Sequence, residues 1–339
     1  MTAAAPKVPT DWVRVLAAYR EPDTRRSLIE LGVTLLPFLA IFALAWWIMS
    51  YSALAAFGLA VVNAGFLVRL FVIQHDCGHG SYLRNRTLSD WLGRVIGVLT
   101  LTPYDVWRRT HAIHHAGAGN LDHRGVGDIV TLTVAEYRAL TPLGRLQYRL
   151  YRHPVTLFLI GPVFIFVLQN RIPIGLMRAG AQYWTSAMTT NVALAAIFGT
   201  LYWFGGWQVL ALVVAPTVLV ASAAGMWLFF VQHQFEETHW ERDDNWQVHD
   251  AALNGSSNYV LPPVLRWFSG NIGIHHVHHL YARIPFYRLP EVLRDHAALA
   301  NAQRLTLSES FACARLHLWD EAGRRLLSFA EARKIPVAA

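Results

Sequence analysis

The sequence predicts an all-α integral-membrane fold: four transmembrane helices in two hairpins, interfacial helices, and a cytoplasmic helical cap carrying a histidine-rich site. Three observations predict it. The 339 residues are 54% hydrophobic and 15% charged, against a charged share of roughly 25% in soluble domains. Four apolar stretches are long enough to cross a bilayer. Most of the 16 histidines fall into three tight clusters.

A hydrocarbon core of ~30 Å needs about 20 apolar residues in helix. The stretches 28–49, 53–73, 185–204 and 207–231 meet that length. Two others, 91–101 and 155–169, are too short, and Gly161 and Pro162 interrupt the second. No Lys or Arg lies between 50 and 68 or between 179 and 241, so the turns near Ser50–Ser52 and Gly205–Gly206 carry no positive charge. By the positive-inside rule these turns face away from the cytoplasm. Arg149, Arg152, Arg171 and Arg178 flank the 155–169 stretch on both sides, which suits an interfacial or re-entrant helix. Reading it as a fifth span would put the histidine clusters on opposite sides of the membrane.

The chain is therefore expected to be one domain, 1–339, with both termini and a cap of 74–184 and 232–339 on the cytoplasmic side. Residues 1–26 carry charges and three prolines and do not form a signal h-region. The tail from Pro290 reads as amphipathic helix, with Pro290 at a first helical position and Glu291 in the first turn. The net charge of +7 comes almost entirely from arginine. With this apolar content it points to anionic lipid headgroups and no nucleic acid. Cys77 and Cys313 are too few for a disulfide framework and form no Cys-x-x-Cys pair.

The clusters are His75 and His79; His111, His114 and His115; and His275, His276, His278 and His279. On a helix, positions i, i+3 and i+4 share a face, so each cluster can aim two or three imidazoles at one point. One such pair alone is more often solvated than ligating. Three on one side of a membrane give more nitrogens than one ion needs. At ~1.5 Å per residue, His75 and His79 lie just past the end of the second span. A structural zinc site would want four closed ligands, usually with thiolates, and Cys77 is expected to point away from its flanking histidines. A metal transporter would place ionisable groups deep in its spans. Here the spans hold Glu30 and Arg69, each near one end, and the neutral Asn63 and Asn191.

The boxes H-x-x-x-H, H-x-x-H-H and H-x-x-H-H resemble those of the membrane fatty acid desaturase family. Supporting stretches are Gln74–Ser81, Pro103–Trp107, Asn120–Tyr137 and the run from His275 to Leu293. The form His75-Asp76-Cys77-Gly78-His79 is similar to the acyl-lipid, Δ12 or ω-6 branch. The resemblance covers about residues 28–295. It implies a fatty acid desaturase that inserts a double bond into a lipid acyl chain, using dioxygen and two electrons at a centre of two iron ions. The implied ligands are His75, His79, His111, His114, His115, His275, His278 and His279, with His233 as a ninth just past the last span. His276 fills a variable slot, either supporting the ligands or replacing His275. His239 is a weaker rival to His233. Asp76, Asp105, Asp128, Glu236 and Glu237 are candidates to orient the rings. No His-Pro-Gly-Gly element or iron–sulfur cysteine set is present, so electrons are expected from a separate ferredoxin or cytochrome b5-type donor. A hydroxylase or ketolase on the same scaffold is the alternative activity.

Overall fold

The computed structural model describes residues 11–336 except Val126; the two chain ends, expected on the cytoplasmic side, lie outside the described residues. The first long helix, Thr24–Ile48, starts where the Asp23 carboxylate accepts the Arg26 amide at 3.1 Å. The second, Ala53–His79, starts on Ser52, whose hydroxyl accepts from the Ala55 amide at 3.2 Å. It runs past the apolar stretch without a break and stops at Gly80, whose φ of 70° is a left-handed terminator. The first cluster therefore occupies the last turns of a spanning-length helix.

Helix continues from Ala181 to His233, 53 residues, but not as one straight rod. Gly206 has φ 66° and ψ −171°, a conformation outside the helical region. Ser186 accepts a bond from the Asp105 amide at 3.1 Å, and His233 packs its ring 4.8 Å from that of His114. Both contacts fall on the helix Tyr104–Gly117, so the chain must reverse between them. Among the described residues, three helices are long and apolar enough to cross a membrane, this broken one included. A fourth candidate is the pair Pro142–Tyr151 and Thr156–Arg171, bent by 56°.

Large apolar side chains face outward along these helices, as expected of a membrane protein. Leu54 is 81% and Val192 70% exposed. Trp47, Tyr51, Trp203 and Trp207 are also exposed and cluster at the two turns, where an aromatic belt would meet the bilayer surface. The weak stretch 91–101 belongs to the helix Arg86–Leu99, which exposes Leu88, Trp91 and Val95 on one face. That stripe, about one turn apart, is the mark of a helix lying along an interface.

The rest of the chain is short helices and connecting loops, with small sheets that the all-α expectation did not include. Leu132–Thr133, Leu318–Asp320 and Arg325–Leu327 form one sheet, and Asn258–Val260 pairs in parallel with Arg304–Thr306. Pro290 does sit at the start of a helix, Leu289–Asp295, with Glu291 in its first turn. Beyond it the tail breaks into short helices and these strands. Segments of two or three residues carry no readable alternation.

Candidate metal centre

The second cluster lies on the helix Tyr104–Gly117, and the third on a six-residue helix, His275–Leu280. The carbonyl of Ser257 accepts from the amides of His275 (3.2 Å) and His276 (3.3 Å), which fixes the start of that short helix. His233 ends the last long helix. Together these elements bring nine imidazoles into two groups. One holds His75, His79, His111, His115 and His278; the other holds His114, His233, His275 and His279. Within each group, one nitrogen from every ring lies within 4.8 Å of all the others.

The split follows from helical geometry. At about 100° per residue, i and i+4 are nearly superposed, whereas i+3 points some 60° away. His111 and His115 thus join the first group while His114 turns to the second. In the third box the assignment is reversed: His275 and His279 join the second group and His278 the first. The groups are adjacent, with the rings of His115 and His279 stacked 4.1 Å apart.

The nitrogens are spaced as metal ligands are. His111 Nε2 lies 3.0 Å from His79 Nε2 and 3.1 Å from His115 Nε2, which is 3.1 Å from His278 Nε2. In the second group His275 Nε2 is 3.0 Å from His233 Nε2 and 3.1 Å from His279 Nε2. Nitrogens at right angles around an ion, each bound at ~2.1 Å, are about 3.0 Å apart. Hydrogen bonding explains the chain poorly, because each Nε2 carries either one proton or one lone pair. His75 Nε2 and His114 Nε2 are buried with no hydrogen-bond partner among the described residues. Two orphaned acceptors, one per group, are what a pair of cations would satisfy.

Electrostatics agree. Burial, reinforced by neighbouring imidazoles, holds His111, His115, His275, His278 and His279 below the ordinary histidine range. Neutral rings keep the lone pair a metal needs. The opposite ring nitrogens have acceptors. His75 Nδ1 is 3.2 Å from Asp76 Oδ1, His233 Nδ1 donates to the Gly255 carbonyl at 3.1 Å, and His114 Nδ1 pairs closely with Asp128. Such contacts fix ring orientation.

Other candidates fall elsewhere. Asp105 is held by both ends of Arg94 at 3.0 Å, and Glu236 pairs with Arg325 at 3.2 Å. Glu237 is exposed. His239 lies 3.2 Å from Arg324 and belongs to neither group. His276 turns away and bonds the Leu299 carbonyl at 2.9 Å; burial pushes it down to about 4. Cys77 is buried in the apolar core beside Leu70 and Tyr82. Sequence reasoning missed the carbonyls of Gly255 and Ser257, which carry no side-chain signal. Trp107, which the sequence places in a supporting stretch, stacks its indole on His111 at 4.6 Å and 16°.

The fatty acid desaturase family model matches residues 52–311. A fatty acid desaturase of Bacillus subtilis is 42% identical over 95% of this chain and 91% of its own length. An sn-1 acyl-lipid omega-3 desaturase (ferredoxin) of Synechocystis is 30% identical, covering 79% of this chain and 74% of that protein. An sn-1 oleoyl-lipid 12-desaturase of the same organism is 24% identical over 77% of this chain and 72% of its own length.

Proposed function

This chain belongs to the membrane fatty acid desaturase family, and from that premise we propose that it desaturates lipid acyl chains at a centre of two iron ions held by nine histidines. It is an oxidoreductase acting on acyl lipids. The observation that carries the metal reading is the pair of imidazole groups, each with one buried, unpartnered Nε2. His75, His79, His111, His115 and His278 would hold one iron; His114, His233, His275 and His279 would hold the other. Iron is favoured because an all-nitrogen shell suits a borderline metal and the reaction consumes dioxygen. When bound, the irons supply the oxidising power that removes two hydrogens from an unactivated methylene.

The chain's own residues keep the imidazoles neutral by burial and hold three rings through Asp76, Asp128 and the Gly255 carbonyl. They shield the centre from water on one side: His75, His114, His233, His275 and His278 are buried, while His79, His111, His115 and His279 are half-buried. The three relatives described above are named as desaturases, which favours this activity over a hydroxylase or ketolase. A ferredoxin is the favoured electron donor, since relatives such as the Synechocystis omega-3 desaturase are named for one.

The membrane arrangement we propose is four spans in two hairpins, the second turning at Gly206, with the histidines and both termini cytoplasmic. Residues 74–184 and 232–339 form the cap of a single domain. The Thr156–Arg171 segment is re-entrant in this reading. Arg152, just before it, bonds Gln234 beside His233 at 2.9 Å. Asn170, near its other end, reaches the Leu101 carbonyl, three residues before the second-box helix. Both ends thus stay on the histidine side.

Expression in a host with simple lipids, followed by fatty acid profiling, tests the activity. New unsaturated species absent from a His111→Ala control are expected; hydroxylated or keto products would overturn it. Metal analysis of the purified chain is expected to find two irons, and a single zinc would remove the proposed centre.

A further inference from the structure

A second feature lies apart from the histidines. A cavity of about 230 Å³ opens between the first turns of the helix Thr24–Ile48, Arg69 of the second helix, and the segment from Pro263 to Pro290. We propose that it binds the phosphate of a membrane phospholipid headgroup.

The argument begins with charge. Arg26, Arg69 and Arg266 line the cavity, and Glu30 is the one acidic lining residue. Its carboxylate is shared: Arg26 Nε donates to Oε1 at 2.7 Å, and Arg69 donates to Oε2. One carboxylate against three guanidinium groups leaves the site with an excess of two positive charges. Arg69 forms a fixed floor. It is 2% exposed, lies over the Trp267 ring at 4.1 Å and the Phe286 ring at 5.1 Å, and donates to Thr34 Oγ1 at 3.1 Å. Arg266 is the opposite case. It is exposed, and its side chain makes no hydrogen bond or ion pair among the described residues. Its planar donor fork is free for an oxyanion, and guanidinium matches phosphate in a bidentate manner.

Depth selects the source of that phosphate. Leu28 and Ile29, beside Arg26, are 57% and 48% exposed, and Val264 and Leu265, beside Arg266, are 66% and 44% exposed. Exposed apolar side chains thus lie within one helical turn of both arginines. They place it where hydrocarbon gives way to headgroups, so a phosphate there arrives with acyl chains attached. Interfacial arginines commonly reach headgroups one by one. Here three converge on a walled cavity, which makes a site.

The test reads binding, so it stands apart from desaturation. The purified full chain in neutral detergent is titrated with dioleoylphosphatidylglycerol, and bound lipid is counted by native mass spectrometry. Dioleoylglycerol, the same lipid without phosphate, and inorganic phosphate serve as competitors. Saturable phosphatidylglycerol binding is expected, with at least one bound lipid that dioleoylglycerol does not displace, since acyl lipid at the proposed centre would be common to both. R266Q and R26Q should each weaken it about five-fold, the value of one interfacial charge. R315Q, an exposed arginine of the cap, should change nothing. Unfolding temperatures of all variants are measured alongside, because only folded variants count. The proposal is overturned by unchanged affinity in both R266Q and R26Q, by equal loss in R315Q, or by dioleoylglycerol displacing all of the bound phosphatidylglycerol. Displacement by millimolar inorganic phosphate would assign the site to free phosphate and overturn the lipid.

Discussion

One oxygen of Asp76 accepts the backbone N–H of Phe286 at 2.7 Å, while its other oxygen faces His75 Nδ1 at 3.2 Å. The end of the second long helix is thereby tied to the chain just beyond the third box, 210 residues away. Asp76→Asn keeps an acceptor for Phe286 but removes the charge that holds the His75 ring. Iron affinity should fall about ten-fold or more, the usual cost of losing such a partner, with little change in unfolding temperature. Iron titration of the metal-free protein checks this, and undiminished affinity would reduce Asp76 to a tether for residue 286.

His275 and His276 are neighbours with opposite fates. His275→Ala should lower iron content by removing a ring from the second group. His276→Ala should keep the full iron content yet lower stability, since it removes a buried bond to the Leu299 carbonyl; about 1–3 kcal/mol is expected for an acceptor left unpaired. Metal analysis beside thermal unfolding separates them. Loss of iron in the His276 variant would contradict the assignment.

Gly78 has a packing role beside the first box. A Cβ there would meet Trp107 Cζ3 at 2.8 Å, and that indole stacks on His111. Gly78→Ala should cost about 1–3 kcal/mol through overpacking and reduce activity by pushing the indole onto His111. Combining it with Trp107→Phe, which frees the space, should restore part of both. Thermal unfolding and product yield of the single and double variants test the coupling.

Arg152 is fully buried and bonds no carboxylate: its guanidinium donates to the carbonyls of Val130 (3.1 Å) and Leu316 (2.9 Å) and to Gln234 Oε1 (2.9 Å). Arg152→Met removes these three bonds and leaves the Leu316 carbonyl unpaired, while Gln234 Oε1 still accepts from Thr131 Oγ1 at 3.1 Å. At about 1 kcal/mol each, a loss of roughly 3 kcal/mol is expected, seen as earlier unfolding in detergent. Stability equal to the parent would mean the apolar replacement repacks without loss.

The parts legible in sequence were those with a period or a spacing. Long apolar runs gave the helices within a few residues, and the i, i+4 spacing of His75–His79 and His111–His115 gave pairs that do share a group. The division into five and four was not legible. It depends on how the helices Tyr104–Gly117 and His275–Leu280 are rotated against each other, a tertiary quantity. Nor was the fate of His276, since a four-residue window cannot tell which ring faces Leu299. The reversal at Gly206 was readable from the missing positive charge and the paired glycines. The short strands of the tail were not, because two or three residues show no alternation.

The two imidazole groups also differ in when they can exist. During synthesis, four of the five rings of the first group are present once residue 115 has been made, and His278 completes it. Of the second group only His114 is present at that stage; His233, His275 and His279 come from the last third of the chain. A nascent chain that has inserted its first helical hairpin already holds most of one ligand set and almost none of the other. In the proposed centre, the first position would therefore have most of its ligands while the chain is still on the ribosome, and the second only near its release.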